Sequence, residues 1–180
     1  KELAGGGALY DIGVHLLDLC LFTMNNFDPV SVTCQTYTKF GNRGLGEGSW
    51  GYSENSGIPF DVDDFATGLI KFSNGATVTL DVSWAAHIES DNKVDVNLLG
   101  TQAGASLYPA RVFKPDIETG NYIISENINA PVKLPHASRF HNFINTILGH
   151  EKPLVTIHEA LVIQKILDRS EERRVGKECV

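Results

Sequence analysis

The residues best suited to chemistry lie close together near the beginning of the chain, in the segment GGGALYDIGVHLLD from Gly5 to Asp18. Asp11, His15 and Asp18 are spaced four and three residues apart, so on a helix they share one stripe. A carboxylate and an imidazole one turn apart, near the glycine-rich beginning of a helix, form a candidate acid/base pair. An imidazole suits proton transfer near neutral pH because its ordinary pKa is about 6.5.

The same residues also have a purely structural explanation. Glycines followed by an Asp in the first turn satisfy the dipole of an ordinary helix, and a single His on a helix is more often structural or solvated than catalytic. A helix N-terminus favours a neutral imidazole and a nearby carboxylate favours an imidazolium, so the spacing leaves open which form prevails. Asp18 is interpreted as a solvent-facing or packing carboxylate. We expect no metal site at Asp11, His15 and Asp18, because three ligands from one helix bind one ion poorly.

The composition is that of a soluble globular domain. The 180 residues are 42% hydrophobic and 21% charged, and the net charge of −7 argues against a nucleic-acid partner. The 3 cysteines have no paired spacing, which predicts neither a disulfide framework nor a zinc site and favours a reducing cytoplasm. The longest apolar run, Leu16 to Met24, is too short to cross a bilayer. We therefore expect a cytoplasmic protein with no membrane partner.

The apolar patterning predicts one helix, then a series of strands, then two more helices. The first helix runs from about Ala8 to Thr23, and Asn74-Gly75 predicts a hairpin between two alternating segments. The predicted strands are Val30–Phe40, Asp64–Phe72, Ala76–Trp84, Val94–Leu99, Ala105–Tyr108, Arg111–Phe113 and Tyr122–Ser125. This order is typical of an α+β fold in which helices pack on one face of an open, mostly antiparallel β-sheet.

Helix signals follow the last strand. One predicted helix ends at Gly149, and Thr156 to Glu159 has the form of a capping box at the beginning of the next. The first of these helices carries an apolar face formed by Phe140, Phe143, Ile144, Ile147 and Leu148.

Two segments show no apolar period. Residues 41–57 contain six glycines together with Trp50 and Tyr52, and they predict either a loop that folds over a substrate or a neighbouring subunit, or a mobile surface excursion. Residues 169–180, RSEERRVGKECV, hold seven charged residues among twelve. We interpret them as a charged tail that is either frayed or not native.

The motif GGGALYDIGVHLLDL resembles the beginning of the C-terminal domain of the Gfo/Idh/MocA oxidoreductases, a family of NAD(P)-dependent sugar and cyclitol dehydrogenases that includes inositol dehydrogenases. The resemblance continues through DVDDFATGLIKFSNGATVTLDVSW and LLGTQAGASLY into EALVIQKILD, so it covers residues 1–168. It implies that these residues form a substrate-binding and oligomerisation domain, with a sugar or polyol as substrate and a homo-oligomer formed through the sheet.

The resemblance also implies roles for individual residues. The Asp and the His of the family's motif match Asp11 and His15. His15 is then expected to exchange a proton with the substrate hydroxyl while a hydride moves to or from C4 of the nicotinamide. Asp11 is expected to orient His15 or to hold the sugar. Tyr10, Trp84 and His87 are further candidates for substrate contact, although packing is the favoured interpretation of Trp84 and His87.

Unlike the full-length members of that family, this sequence shows no signal of a dinucleotide-binding domain. No G-x-G-x-x-G follows a predicted strand and no βαβ unit is predicted, so we expect the N-terminal Rossmann domain to be absent. Glu151-Lys152-Pro153 has the letters of a family motif from that missing domain, but it lies between two predicted helices and is interpreted as a turn. We expect this chain alone to bind neither NAD nor NADP and to be inactive. The alternative is a non-catalytic sugar-binding regulator or oligomerisation scaffold, against which the presence of both Asp11 and His15 argues.

Overall fold

The computed structural model describes residues 4–45, 59–90, 92–126 and 137–172. The predicted loop with Trp50 and Tyr52 falls largely on residues 46–58, outside the described part, as do the last tail residues, 173–180. The chain divides into two compact units, of which unit 1 contains residues 1–91 and 155–180 and unit 2 contains residues 92–154.

Unit 1 consists of two helical segments and one sheet. The first helix begins as a π-helical turn, Leu9–Gly13, and continues as α1, Val14–Met24. Three strands follow, β1 (Pro29–Tyr37), β2 (Phe65–Phe72) and β3 (Thr77–Ser83), and they form an antiparallel sheet in that order. The last helix of the chain, α3 (Ile157–Glu172), returns to this unit.

The core of unit 1 lies between one face of the sheet and the helices. In β3 the side chains of Val78, Leu80 and Val82 are buried and those between them are exposed, as period-two alternation predicts. Helices α1 and α3 contact each other, α3 contacts β1, and the π-turn contacts β3. The core residues are Leu9, Leu17, Leu21, Cys34, Ala66, Ile70, Phe72, Val78, Leu80, Val82, Val162, Ile163, Ile166 and Leu167.

The hairpin predicted at Asn74-Gly75 joins β2 to β3. Gly75 has a φ of 86°, a left-handed conformation that favours glycine, and Asn74 Oδ1 accepts a hydrogen bond of 3.0 Å from the Ala76 amide. The pairing on either side runs from Lys71 opposite Thr77 to Phe65 opposite Ser83. The hairpin prediction is therefore confirmed.

Unit 2 contains a second antiparallel sheet. Its strands are β4 (Asn97–Leu99), β5 (Gly104–Leu107), β6 (Ala110–Pro115) and β7 (Tyr122–Glu126), paired in sequence order, and α2 (Arg139–Ile147) follows them. The α+β class and the antiparallel pairing are confirmed, but the described strands form two sheets. Short strands and turn residues predict hairpins well, whereas they carry no signal for the point at which one sheet ends and another begins.

The apolar face predicted on α2 is exposed in the structure. Its five residues have exposed fractions between 51% and 69%: Phe140, Phe143, Ile144, Ile147 and Leu148. Inside the described part of unit 2, the buried side chains are Val96 and Asn142. Helical periodicity therefore identified an apolar stripe correctly, but it does not show which surface covers that stripe.

The boundaries of the last helix are partly those expected. The capping box is confirmed, because the Glu159 amide donates to Thr156 Oγ1 at 3.2 Å and the Thr156 amide donates to Glu159 Oε2 at 2.6 Å. Helix α3 ends at Glu172, so it includes the first four residues of the predicted tail, and Ser170 is buried on it. In the described residues no helix combines the length and the hydrophobicity that a membrane crossing requires.

Candidate active site

The candidate acid/base pair lies at the transition from the π-helical turn to α1. Asp11 is in the π-turn, His15 is the second residue of α1, and both side chains are exposed. Asp18 lies one turn further on and is half-buried. Single π-turns within helices occur frequently at functional sites, because they change the direction in which neighbouring side chains project.

Trp84 contacts the carboxylate of Asp11 directly. Its indole Nε1 donates a hydrogen bond of 2.8 Å to Asp11 Oδ2. Trp84 directly follows the last residue of β3, so the sheet brings it to the beginning of the first helix. A carboxylate has two oxygens, and with Oδ2 held by the indole, Oδ1 can accept from an imidazole or from a substrate hydroxyl. Packing, the favoured interpretation of Trp84 from the sequence, does not account for this polar contact.

Aromatic side chains surround the end of β3. The ring of Phe60 meets the Trp84 ring edge-on, with centroids 6.3 Å apart, and Phe40 meets His87 in the same manner at 5.0 Å. Edge-to-face pairs of this kind are favourable contacts between aromatic groups. Trp84 is half-buried and His87 is exposed. A role for His87 in binding substrate remains a prediction.

Tyr10 faces the last helix of the chain. Its hydroxyl donates a hydrogen bond of 2.6 Å to Asp168 Oδ1, and Gln164 Nε2 donates to the same oxygen at 2.8 Å. The hydroxyl thus connects the π-turn to α3, although Tyr10 is adjacent to Asp11 in the sequence. A substrate contact of Tyr10 remains a prediction, and in the structure its hydroxyl holds the π-turn against α3.

Asp63 is a residue of the site that the sequence did not reveal. Its side chain is only 3% exposed, and its Oδ2 accepts a hydrogen bond of 2.8 Å from the Leu9 amide. The backbone oxygen of Asp63 accepts from the Ala8 amide at 2.9 Å. Both amides belong to the first turn of the helix, where backbone donors have no partner within the helix. Asp63 therefore holds the beginning of the helix that carries Asp11 and His15.

Asp64 binds the backbone on the side of the site that carries Trp84. Its Oδ2 accepts hydrogen bonds of 2.7, 2.6 and 2.9 Å from the amides of Lys39, Phe40 and Gly41. Its backbone oxygen accepts from the Trp84 amide at 2.8 Å. Two adjacent aspartates directly before a strand were the available signal, because Asp is depleted in strands and is typical of side-chain bonds to nearby backbone groups.

The described residues do not fit a dinucleotide cofactor or a metal ion. Every pairing between described strands is antiparallel, so this part of the chain contains no parallel βαβ unit of the kind that binds a dinucleotide. The same described residues contain no group of three or more His, Cys, Asp or Glu that could hold a metal ion.

Comparison with known families matches residues 1–106 to the GFO/IDH/MocA C-terminal domain. Among curated proteins, a D-glucoside 3-dehydrogenase of Escherichia coli K12 is 27% identical over 168 residues, which are 93% of this chain and 46% of that protein. A putative UDP-kanosamine synthase oxidoreductase subunit of Amycolatopsis mediterranei is 35% identical over 118 residues, 66% of this chain and 33% of that protein. The matches therefore span less than half the length of these relatives.

Several solved structures of oxidoreductases have the same fold. An oxidoreductase domain protein from Kribbella flavida has a TM-score of 0.71 and 20% identity over 97% of this chain and 51% of its own. A levoglucosan dehydrogenase in complex with NADH and levoglucosan has a TM-score of 0.66 and 21% identity, over 97% of this chain and 50% of its own. At these identities the similarity shows the fold, and it agrees with the α+β architecture described above.

Proposed function

This chain belongs to the GFO/IDH/MocA family, and on that premise we propose that it is the substrate-binding and acid/base half of an NAD(P)-dependent oxidoreductase. The group it acts on is a CH–OH of a sugar, a cyclitol or a related polyol. The observation that carries the proposal is the hydrogen bond from Trp84 to Asp11, which fixes a carboxylate on the same helix as the exposed His15. In this interpretation residues 1–168 form the substrate-binding domain and residues 169–180 form a charged tail.

The chemistry divides between a proton and a hydride. When a secondary alcohol is oxidised, the hydroxyl loses a proton, and we assign its acceptor to an imidazole nitrogen of His15. In the reverse direction the same nitrogen returns the proton to the alkoxide. Asp11, with Oδ2 held by Trp84, uses its second oxygen to orient the imidazole or a hydroxyl of the sugar. NAD or NADP, when bound, takes up or supplies the hydride.

The proposed cofactor is held outside the described residues. These residues contain only antiparallel strand pairs, and the matched relatives are more than twice as long as the segment that aligns with this chain. We therefore propose that another part of the whole protein binds the dinucleotide and that the 180-residue chain alone is inactive. Isothermal titration of this chain with NADH and NADPH should give no heat of binding, and micromolar affinity would contradict the assignment.

The names of the relatives support a sugar as the substrate class. A D-glucoside, levoglucosan and UDP-kanosamine are the compounds named for three of them. Each name applies to that relative, and at 27–35% identity the choice between one sugar and another does not transfer to this chain. The proposal extends to cyclitols because the sequence resemblance implies both classes of substrate.

A homo-oligomer formed through the three-stranded sheet completes the proposal. The face of this sheet that points away from the core carries mostly polar residues, with Tyr37 and Phe65 in contact at one end, their centroids 5.7 Å apart. We call it the outer face, and its exposed members are Ser31, Thr33, Gln35, Tyr37, Leu69, Lys71, Thr77, Thr79 and Asp81. A sheet face without helices is suited to packing against an equivalent face. A cytoplasmic location, inferred from three cysteines without paired spacing in the sequence, also belongs to the proposal.

Turnover by the whole protein provides the test. We expect reduction of NAD⁺ or NADP⁺ in the presence of a glucoside, levoglucosan or a cyclitol, and a loss of about 10²-fold or more in kcat for His15→Ala. His158→Ala, which removes an exposed imidazole at the beginning of α3, is the matched control and should keep full turnover. Unchanged turnover in the His15 variant would reject the proposed acid/base. Sugar binding without any turnover would instead favour the regulator or scaffold.

A further inference from the structure

We propose that Asp63-Asp64 is a positioning element that holds Asp11 and Trp84 in contact. Neither aspartate reaches the reacting atoms in this proposal, and both act through the two residues that they place. The consequence for catalysis rests on the function proposed above, whereas the geometric claim concerns this chain alone.

Asp63 fixes the helix that carries Asp11. Its backbone oxygen and its carboxylate accept from the Ala8 and Leu9 amides, three and two residues before Asp11. This approach requires a glycine at position 7, because a Cβ there would lie 2.1 Å from the backbone oxygen of Asp63 and 2.3 Å from its Oδ1. A carboxylate that accepts an amide hydrogen bond in a buried setting holds it about twice as strongly as a neutral acceptor does.

Asp64 fixes Trp84. Its backbone oxygen accepts from the Trp84 amide, and β2 and β3 pair directly afterwards, with Phe65 opposite Ser83. The carboxylate of Asp64 binds three successive amides from Lys39 to Gly41, which ties the same peptide to the segment after β1. Asp64 is 1% exposed, so this arrangement is enclosed by protein.

The two anchors are joined by a single peptide bond. The backbone oxygen of Asp63 and the amide of Asp64 belong to that planar peptide group, so the hydrogen bonds that these two atoms make are held by one rigid unit. Asp63 sets the position of the helix that carries Asp11, and Asp64 sets the position of Trp84. The hydrogen bond from the Trp84 indole to Asp11 then connects the two. The simpler explanation is that Asp63 only stabilises a helix end. In that case its loss would lower stability but would leave the contact between Trp84 and Asp11 intact in folded molecules.

The indole N–H resonance of Trp84 in the ¹⁵N-labelled chain distinguishes these explanations. The chain has 2 tryptophans, so Trp84→Phe assigns the signal, and Asp11→Ala gives its position when the acceptor is missing. In Asp63→Asn, which keeps the size of the side chain and removes its charge, we expect the resonance to move toward the Asp11→Ala position. Asp81→Asn, the same change at an exposed position of β3, should leave it in place. A lower melting temperature for Asp63→Asn with an unmoved indole resonance would overturn the proposal.

A measurement on the unmodified chain decides the matter if Asp63→Asn does not fold. We expect the order parameter of the Trp84 indole N–H to equal that of the Leu9 amide, about 0.85 for a rigid group. An indole value below about 0.6 beside a rigid Leu9 amide would show that Asp63 holds the helix without holding the contact, which overturns the proposal. Neither measurement uses turnover, so a rigid contact in an inactive whole protein would reject only the proposed enzyme.

Discussion

The indole Nε1 of Trp84 lies 2.8 Å from Oδ2 of Asp11, and this hydrogen bond joins residues that are 73 positions apart in the sequence. It connects the end of β3 to the π-turn at the beginning of the first helix. A carboxylate that is free to rotate would orient an imidazole or a sugar poorly. The indole donor engages one of the two oxygens of Asp11, and under the proposed function this contact preorganises the carboxylate.

Trp84→Phe tests the importance of this donor in the whole protein. The Phe ring can still pack against Phe60, but the hydrogen bond to Asp11 is lost. We expect kcat/KM to fall about tenfold, because a partly exposed hydrogen bond to a charged group contributes about 1.5 kcal/mol. Steady-state kinetics provide the measurement, and Tyr122→Phe, at an exposed position of β7, is the control. An unchanged kcat/KM would mean that Asp11 needs no anchor.

Tyr10→Phe tests the link between the π-turn and α3. The variant removes the hydroxyl that donates to Asp168 Oδ1 and keeps the ring. We expect the free energy of unfolding to fall by about 1 kcal/mol, the usual net contribution of one hydrogen bond. Urea denaturation measures the change, and Tyr122→Phe, at an exposed position of β7, should have no effect. Equal stability of the Tyr10 variant and the native chain would indicate that the bond contributes nothing in solution.

Local rules of sequence predicted most of the secondary structure but little of the site's framework. Two confirmed features, the Asn74-Gly75 hairpin and the Thr156 capping box, each depend on residues within four positions of one another. Patterns of such short range can be predicted from sequence. Asp11 and His15 were identified because helical spacing and a family motif coincide there. Their position on the first helix is as expected, and their chemical roles remain proposals.

The contacts that hold the site could not be predicted, because each joins distant segments. Asp63 accepts a hydrogen bond from Leu9, 54 positions earlier in the sequence. The spacing of apolar residues does not predict a bond between a loop and the beginning of another element. The apolar face of α2 is a second example of what sequence patterns cannot predict, because it was recognised in the sequence but is exposed in the structure. Amphipathic spacing describes one helix, while burial depends on what the rest of the molecule places against it.

The buried thiol of Cys34 gives a prediction on pH. Burial raises the pKa of Cys34, a hydrogen bond with Ser170 opposes the increase, and the charge of Asp63 adds to it. A raised thiol pKa stabilises the fold below the ordinary value of about 8.5, and that contribution is lost as the pH rises through the folded-state pKa. We therefore expect the stability difference between the native chain and Cys34→Ala to shrink as the pH rises above about 8.5.

Urea denaturation at several pH values between neutral and alkaline conditions measures this difference. Cys20 is also buried enough to have a raised pKa, so Cys20→Ala should show the same trend independently. Reaction with iodoacetamide provides a second measurement, since the thiolate is the reactive form and a raised pKa reduces its population. Cys34 should react more slowly in the folded chain than in urea. Equal rates would contradict the raised pKa.

A charge on the outer face tests the proposed oligomer. Leu69 lies on β2, the central strand, with 36% of its surface exposed, so Leu69→Lys puts an ammonium in the middle of that face. If two such faces pack together, two lysines would be buried close to each other, and an unpaired buried charge is strongly unfavourable.

Light scattering after size-exclusion chromatography should therefore show an oligomer for the native chain and a monomer for the variant. Leu99→Lys, at a 95% exposed position of β4, makes the same chemical change on the other sheet and should leave the oligomer intact. A native chain that elutes as a monomer, or a Leu69 variant that stays oligomeric, would remove this face from the proposal.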